Sequence, residues 1–515
     1  MKKTEEIKEK RSLKKELINV FYIIMIIIFI LTLYKTVFNN HTTFAQVKPL
    51  VLFLCCFIYL AFSFLLYKVL SKIKKHNKVF VVIMFLILIV VQFVFAYIFE
   101  VAPKAKSWDF GSVYEAAVND VEGLMPIEDN SYFYQYTNNI GLALFLKFIF
   151  SIAKIFNFTN YTLLGLSLNI AFIDIAIVFL YKIIRNNFDE KISRIFFLFT
   201  ITFSPFITYV PIYYTDTLSL PFAISAIYFL MKYVNNPEKK TSWLVICGLL
   251  IGIGSCIKFT VFFIFLAIIL YYVFRENQDK IKKVLKQLVI IFFATIIPLV
   301  CLNGYIKLNF DQKRLEKESF PFTHWIMMGM TGWGGYTYED TLYTKSFEGK
   351  KDKEEANVEQ IKERFTNLIE TRTLDDFYAL KAVYSFGDGT FYSLVKLERN
   401  QVRDFKMKKY VLQSDNNDNY IFKTICQTQL VIVLFFMLVG MILRKYLTSR
   451  QRDLQLLVNI SIIGLYIFLL IWEARSRYVV NYVPLLLLSS YFGVEALKNF
   501  ISSKRKVEVL NNEEK

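Results

Sequence analysis

The sequence predicts an all-α polytopic membrane protein with about twelve transmembrane helices, interfacial helices and one large extracellular loop region. Hydrophobic residues make up 55% of its 515 residues. Apolar runs of about 17 to 25 residues recur along most of the chain, which is the length that a helix needs to cross ~30 Å of hydrocarbon. These runs are apolar on all faces, as expected for helices that lie in lipid.

Thirteen apolar runs occur in the sequence, near residues 18–37, 48–70, 79–99, 137–157, 161–183, 193–213, 217–233, 242–256, 258–274, 285–304, 428–445, 455–473 and 478–496. The run 137–157 differs because Lys147 and Lys154 share one helical face. We expect this helix to lie in the membrane interface, which leaves twelve spans and both termini in the cytoplasm. The basic N-terminus resembles a signal peptide, but no small-residue cleavage site follows, so the first helix is expected to be retained.

The distribution of basic residues supports this topology. The segments placed in the cytoplasm contain 32 Lys and Arg residues, and the short external segments contain 6, as the positive-inside rule requires. The net charge of +18 therefore lies mainly where anionic lipid accounts for it, and no nucleic-acid partner is predicted. The loop 305–427 contains 19 basic and 19 acidic residues and is neutral.

The predicted organisation divides the chain into seven parts. They are a cytoplasmic N-terminus (1–17), three transmembrane helices (18–99), an external loop with an interfacial helix (100–160), six transmembrane helices (161–304), the large extracellular loop (305–427), three transmembrane helices (428–496) and a cytoplasmic tail (497–515).

Unusual polar residues fall on the predicted external side. They are Trp108 and Asp109 in "KSWDFGSVYEAAVND", Asp216 in "YYTDTLSLP", Lys258 in "GSCIKFT", and Glu473, Arg475 and Arg477 in "EARSRY". Asp109 is consistent with a general base, a ligand of a divalent cation or a helix N-cap. Asp216 is consistent with an N-cap, or with sharing a cation or orienting an acceptor. The basic residues are consistent with phosphate binding or with snorkelling to the interface, and Glu473 with an ion pair to an Arg.

The large loop contains further candidates. The stretch "FTHWIMMGMTGWGGYTYEDT" combines His324, Trp325 and Trp333 with four glycines, which suits either sugar stacking or ordinary turns. "SFGDGTF" predicts a turn, and "KDKEEANVEQIKERFTNLIE" predicts a solvated helix. Asp174, inside a span, is either functional or hydrogen-bonded to another helix. The six cysteines show no metal-binding spacing, although Cys301 and Cys426 flank the loop, where a disulfide bridge is conceivable.

The order of these motifs resembles the C-type glycosyltransferase superfamily of integral membrane enzymes. The stretches that carry the resemblance are "SWDFGSVYEAA", "YQYTNNIGLALF", "YYTDTLSLPF" and "GLLIGIGSCIKFT". The chain is similar to the protein O-mannosyltransferase and aminoarabinose-transferase branch, and its large loop looks like that of Gram-positive bacterial members. It departs from the family in having two extra spans, 18–37 and 48–70, and "TNNIGL" in place of a Pro-Pro-Leu element.

The resemblance implies transfer of a sugar, with inversion, from a polyprenyl-phosphate donor to a cell-envelope acceptor, which is a teichoic acid, a polysaccharide or a protein. It implies an extracellular active site in the cell membrane. The implied catalytic acids are Asp109 and Asp216, the donor-phosphate ligands are Lys258, Arg475 and Arg477, and the sugar or acceptor contacts are Trp108, His324 and Trp333. No cofactor is certain, and a divalent cation, Mg²⁺ or Ca²⁺, would be held by carboxylates.

Two other functions stay open on the sequence. An O-antigen-type polymerase or ligase would use lipid-diphosphate glycans and rely on external Arg and His residues, but the early Asp109 loop argues against it. A lipid or sugar transporter would place ionisable groups near the midplane and show internal repeats. The 123-residue loop 305–427 is larger than transport requires.

Overall fold

The computed structural model describes residues 2–39, 41, 43–71, 77–104, 107–275, 280–412 and 416–513. Parts of the predicted cytoplasmic segments 71–78 and 275–286 lie outside these residues, as do Lys106 and the extreme ends of both tails. Within the described ranges the regular structure is helical, apart from one isolated antiparallel bridge between Val101 and Gln401. The predicted all-α membrane fold is confirmed.

The α-helices are numbered in chain order, and the first fourteen precede the large loop. They are α1 Lys2–Phe38, α2 Pro49–Ser71, α3 Asn77–Ile98, α4 Asp109–Val121, α5 Ser131–Gln135, α6 Ile140–Ile155, α7 Tyr161–Asn187, α8 Glu190–Ile201, α9 Pro205–Thr208, α10 Thr215–Leu218, α11 Leu220–Asn235, α12 Thr241–Ile257, α13 Phe263–Phe274 and α14 Ile281–Asn309.

The other nine helices form the large loop and the C-terminal bundle. They are α15 Gln312–Glu318, α16 Phe322–Met328, α17 Tyr338–Lys345, α18 Lys350–Glu370, α19 Leu374–Phe386, α20 Ser393–Leu397, α21 Tyr420–Ile442, α22 Ser449–Ile471 and α23 Val483–Glu513. The predicted solvated helix 351–370 is therefore present as α18.

Ten helices among the described residues are long and apolar enough to cross a membrane, and Thr241–Ile257 and Phe259–Phe274 are shorter apolar helices. The helix that spans Ser476–Arg505 lies at the centre of the bundle, since 94% of its apolar window is buried, whereas the corresponding share for α2 is 6%. The exposed side chains of α2 are those of a lipid-facing helix.

The predicted continuous span 193–213 is wrong, because the helix stops at Ile201 and a short helix begins at Pro205. Proline has no backbone N–H with which to continue the helical hydrogen bonds. Gln429 of α21 satisfies the interrupted backbone: its amide accepts from Ser204 N at 3.0 Å and donates to Thr202 O at 2.9 Å. Such satisfaction is what allows a break inside a bundle.

Asp174 makes the helix-to-helix hydrogen bond that the sequence left as one alternative. Gln92 Nε2 of α3 donates to Asp174 Oδ1 of α7 at 3.1 Å and to Phe206 O at 3.1 Å. These contacts tie α3, α7 and α9 together. All six cysteines are free, so Cys301 and Cys426 do not form the conceivable bridge.

The lysine face of α6 packs against α4. Lys147 Nζ lies 2.8 Å from Asp120 Oδ1, and Lys154 Nζ donates to Val121 O at 2.6 Å. The two helices are therefore joined at the C-terminal end of α4. The placement of α6 in the membrane interface stays a prediction.

Candidate active site

The candidate site forms where several helices are interrupted. Asp109 begins α4, Asp216 lies in the four-residue helix α10, Lys258 follows the end of α12, and Arg477 lies in the turn between α22 and α23. The structure brings these four predicted side chains together, although they are far apart in sequence.

Asp216 is the buried centre of the charged cluster. Its Oδ1 lies 2.5 Å from Lys258 Nζ, and its Oδ2 lies 3.6 Å from Arg477 Nη1. The side chain of Asp216 is 2% exposed, and those of Lys258 and Arg477 are each 11% exposed. Lys258 also donates to the backbone carbonyl of Tyr478 at 3.5 Å. One carboxylate therefore holds two cations in fixed positions.

Asp109 is the most exposed acid of the cluster, with 35% of its side chain accessible and Oδ2 at 4.0 Å from Arg477 Nη2. Tyr132 donates to Asp109 Oδ1 at 3.0 Å, and Asn139 Nδ2 donates to the Tyr132 hydroxyl at 2.6 Å. The Tyr214 hydroxyl in turn donates to Asn139 Oδ1 at 2.9 Å. This chain of hydrogen bonds orients Asp109 through Oδ1, while Oδ2 faces Arg477.

The N-cap alternative is wrong for both acids. The N-cap of α4 is Trp108 and that of α10 is Tyr214, and neither makes a side-chain capping hydrogen bond. Asp109 and Asp216 are instead first-turn residues, where the helix dipole favours a negative charge. Their side chains make the contacts across the cluster that a simple cap would not need.

Two cations lie near the ring of Trp108. Lys396 Nζ lies 3.9 Å from the ring centroid, and the Arg477 guanidinium carbon lies 5.9 Å from it. Cation–π contacts of this kind stabilise a cation on an aromatic face. Arg399 Nη1 donates to Ser107 O at 3.1 Å and so ties the large loop to the start of α4.

Arg475 and Glu473 flank Arg477 in the turn between α22 and α23. The Arg475 guanidinium lies 4.6 Å from the Tyr392 ring centroid and 5.7 Å from that of Tyr384. Glu473 Oε1 accepts from the Tyr478 hydroxyl at 2.9 Å. Burial raises the pKa of Glu473, although Arg477 and Arg475 oppose the shift.

The large loop holds this turn through its backbone. Glu473 N donates to Trp325 O at 3.0 Å, and Ala474 N donates to Gly334 O at 2.6 Å. A Cβ on Gly329 would lie 2.6 Å from the backbone of Trp472, so only glycine permits this approach. The glycines of "MMGMTGWGGY" thus serve close packing and turns.

The predicted turn "SFGDGTF" is present and also contacts the site. Asp388 is 2% exposed and accepts hydrogen bonds from Thr390 N, Thr390 Oγ1 and Tyr392 N at 3.1, 2.8 and 3.0 Å. Ser476 Oγ donates to Asp388 Oδ2 at 2.8 Å. The turn therefore fixes Ser476, which lies between Arg475 and Arg477 in the sequence.

The structure does not bring His324 and Trp333 into the charged cluster. His324 is fully buried, and its Nδ1 lies 2.7 Å from Thr344 Oγ1. Burial lowers the pKa of His324 to about 4. Trp333 is 46% exposed, and its ring centroid lies 6.0 Å from that of His41.

Sequence reasoning missed Lys396, Tyr132 and Asn139. Lys396 belongs to the large loop and is one of its 19 basic residues, so no local pattern distinguishes it. Tyr132 and Asn139 lie in or beside the stretch "YQYTNNIGLALF", where alternating tyrosines beside asparagine are a polar signal that could have indicated a hydrogen-bond chain.

The possible divalent cation, Mg²⁺ or Ca²⁺, stays a prediction. Among the described residues, no group of three or more His, Cys, Asp or Glu side chains is arranged to hold a metal ion. Lys258 and Arg477 already neutralise Asp216, so the acids of the cluster contact cations of the chain itself.

The fold and the site together define a multi-pass integral membrane protein with a charged cluster at its helix breaks. A family model described as "Conserved hypothetical integral membrane protein" matches residues 10–497, and the chain belongs to that family. No curated protein sequence matches the chain.

Two solved structures resemble the fold at low identity. The apo crystal structure of the Archaeoglobus fulgidus oligosaccharyltransferase has 13% identity and a TM-score of 0.46, over 85% of this chain and 52% of that one. The A. fulgidus oligosaccharyltransferase AglB in complex with an inhibitory peptide and a dolichol-phosphate has 13% identity and a TM-score of 0.43, over 83% and 52%. The chain spans about half the length of these structures.

Proposed function

We propose that this protein is a membrane glycosyltransferase that moves a sugar from a polyprenyl-phosphate donor to an extracytoplasmic cell-envelope acceptor. The observation that carries the proposal is the pairing of Asp109 and Arg477, 4.0 Å apart, with Asp109 partly exposed and Arg477 buried. A base beside a phosphate-binding cation is what transfer from a lipid phosphate to a hydroxyl requires. The resemblance of the external motifs to the C-type glycosyltransferases agrees with it.

In the proposed reaction, Asp109 accepts the proton of the acceptor hydroxyl. The acceptor oxygen forms a bond to the anomeric carbon from the face opposite the phosphate, and the bond between that carbon and the phosphate oxygen breaks. The electron pair leaves with the phosphate, and the configuration of the sugar inverts. The proton on Asp109 then passes to solvent, which reaches the 35% of the side chain that is exposed.

The basic residues stabilise the leaving phosphate in this mechanism. Arg475 and Arg477 supply the positive charge, which is typically a large part of the catalytic effect. Asp216 holds Arg477 and Lys258 in place from beneath and is too buried, at 2% exposed, to reach an acceptor itself. No step uses a metal ion.

The rival functions receive less support from the geometry. The polymerase or ligase hypothesis relies on an external histidine, but His324 is fully buried and hydrogen-bonded. The transporter hypothesis relies on intramembrane ionisable groups, but Asp174 is hydrogen-bonded to Gln92. The cell-envelope acceptor is an expectation from the motif resemblance and from the predicted external site.

The test compares wild type with Asp109→Asn, both purified in detergent and supplied with radiolabelled polyprenyl-phosphate hexoses. We expect release or transfer of sugar by wild type and a decrease of roughly 10² to 10⁴ in kcat for the variant, the range that general bases contribute. The matched control is Asp352→Asn, because Asp352 also lies in the first turn of a helix, α18, but is exposed.

Equal turnover by Asp109→Asn and Asp352→Asn would refute the role of Asp109. If wild type releases no sugar from any lipid-monophosphate donor and instead consumes a lipid-diphosphate glycan, the polymerase or ligase function replaces the proposal. Transport of a lipid-linked sugar that persists in Asp109→Asn would favour the transporter.

A further inference from the structure

Lys396 is a buried lysine that the proposed mechanism does not use. It lies on α20 and is 6% exposed. Its ammonium contacts the ring of Trp108 at 3.9 Å and that of Tyr392 at 5.6 Å, and it forms no ion pair with any residue in the described ranges. Cation–π contacts offset part of the cost of burying a charge, but a buried ammonium ordinarily has a carboxylate partner.

The surroundings of Lys396 are predominantly positive. Arg477, Arg399 and Arg475 all interact with it electrostatically, and Asp109 opposes them. Burial together with Arg477 and Arg399 lowers the pKa of Lys396 to about 6. Burial and the neighbouring arginines therefore favour the neutral amine of Lys396, and an anion bound beside it would favour the ammonium.

Arg477, which also lies near Trp108, has a side-chain donor that no described residue satisfies. The residue is 9% exposed, and its Nε and Nη1 have no hydrogen-bond partner within the described part of the chain. Its Nη2 donates to the Tyr478 hydroxyl at 3.2 Å. Nη1 faces Asp216 Oδ2 at 3.6 Å, so Nε is the donor of this buried guanidinium that is left for an oxygen anion.

Lys258 differs from Lys396 in this respect. Its ammonium is 2.5 Å from Asp216 Oδ1 and 3.5 Å from Tyr478 O, so its charge is neutralised within the protein. Of the two buried lysines in the cluster, Lys396 is the one that pairs with no carboxylate of the described residues and is left for a ligand.

We propose that Lys396 and Arg477, which lie against the same Trp108 ring, together bind the phosphate of the lipid-linked donor, and that Lys258 acts as a positioning residue through Asp216. This inference rests on the proposed function and adds to it the residue of the large loop that contacts the donor. Because Lys396 belongs to α20, donor binding then depends on the docking of the large loop onto α4.

The test measures binding of farnesyl methyl phosphate, a lipid phosphodiester, to the detergent-purified full chain by calorimetry, with the uncharged ether of farnesol as the control ligand. We expect Lys396→Met to weaken binding roughly tenfold to a hundredfold, the range for a lost charge-assisted hydrogen bond. Lys353→Met is the matched control, because Lys353 is a buried lysine of the same loop that donates to Lys317 O and is 3% exposed.

A pH series separates phosphate binding from a structural role. The phosphodiester keeps one negative charge between about pH 6 and pH 8, and the neighbouring arginines do not titrate there. The bound anion should raise the pKa of Lys396, so binding takes up a proton and wild-type affinity falls as the pH rises through this range. Lys396→Arg should bind the diester with a weaker pH dependence. The same pH series is repeated on Asp109→Asn, because Asp109 is the acid that interacts electrostatically with Lys396.

The outcomes distinguish this inference from the proposed function. If wild type binds and turns over the donor, and Lys396→Met binds as well as Lys353→Met does, the inference is overturned and the function stands. Equal weakening by both lysine variants would also overturn it, because the effect would then be general. If wild type neither binds the diester nor releases sugar from lipid monophosphates, both proposals fail.

Discussion

Lys258 and Asp216 form a buried ion pair, with Nζ and Oδ1 2.5 Å apart and only 11% and 2% of the side chains exposed. Buried pairs are a modest source of net stability, but removal of one partner leaves an uncompensated charge. The two partners differ, because Asp216 also faces Arg477 at 3.6 Å and would keep this second cation if Lys258 were replaced.

We therefore expect Lys258→Met to destabilise the protein by about 3 kcal/mol, and the double variant Lys258→Met/Asp216→Asn to be less destabilised than the sum of the single variants. Thermal unfolding in detergent, analysed as a double-mutant cycle, measures the difference. Additive effects would contradict the direct pairing of the two side chains.

Tyr132→Phe should lower kcat about tenfold, because Asp109 loses the hydrogen bond that orients it and Asn139 loses its acceptor. KM for the donor should change little, since Tyr132 does not face the cations. Steady-state kinetics give both constants. Tyr161→Phe is the control, because it removes a hydroxyl that donates to Glu122 beside the other end of α4, and a comparable loss of kcat there would indicate a general effect.

Stability should depend on pH through His324. Burial lowers its pKa to about 4 in the folded protein, against about 6.5 in an unfolded chain. Between these values the unfolded state binds a proton and the folded state does not, so acidification from pH 6.5 towards 4 removes up to roughly 3 kcal/mol of stability.

Unfolding temperatures measured at pH 7.5 and pH 5 test this expectation. The decrease should be smaller in His324→Gln than in wild type. His41 is exposed, so His41→Gln should behave like wild type. An unchanged slope in His324→Gln would show that other groups carry the pH dependence.

Gly329→Ala should destabilise the protein by roughly 1 to 3 kcal/mol, because the new Cβ would lie 2.6 Å from the backbone of Trp472. The displaced turn carries Arg475 and Arg477, so activity should fall as well. Gly304→Ala is the matched control, since no atom lies within 4 Å of its Cβ position. Thermal unfolding and a turnover assay on both variants check the expectation, which equal behaviour of the two would contradict.

The membrane-spanning helices could be predicted from the sequence because lipid selects for length and apolarity alone. The break after Ile201 was missed although Pro205 within the run signals one, and the side chain that satisfies it, Gln429, lies 225 residues away in sequence. A continuous apolar run gives no indication of such a partner.

Part of the charged cluster could be predicted from the sequence, but His324 and Trp333 lie outside it. The expectation that the unusual charges share one side of the membrane led to Asp109, Asp216, Lys258 and Arg477, which the structure places together. It gave no indication of which acid pairs with which base. Lys396 was missed because only tertiary structure places α20 against Trp108.

The distribution of the cluster along the chain has a consequence for biosynthesis. Asp109 enters the membrane region early in translation, Lys396 is added much later, and Arg477 is made only with the turn that leads into α23. A ribosome-bound chain that has inserted α1 to α14 already contains Asp109 but lacks Arg475 and Arg477. If these arginines bind the donor phosphate as proposed, the nascent protein acquires its activity only after the turn between α22 and α23 has been made.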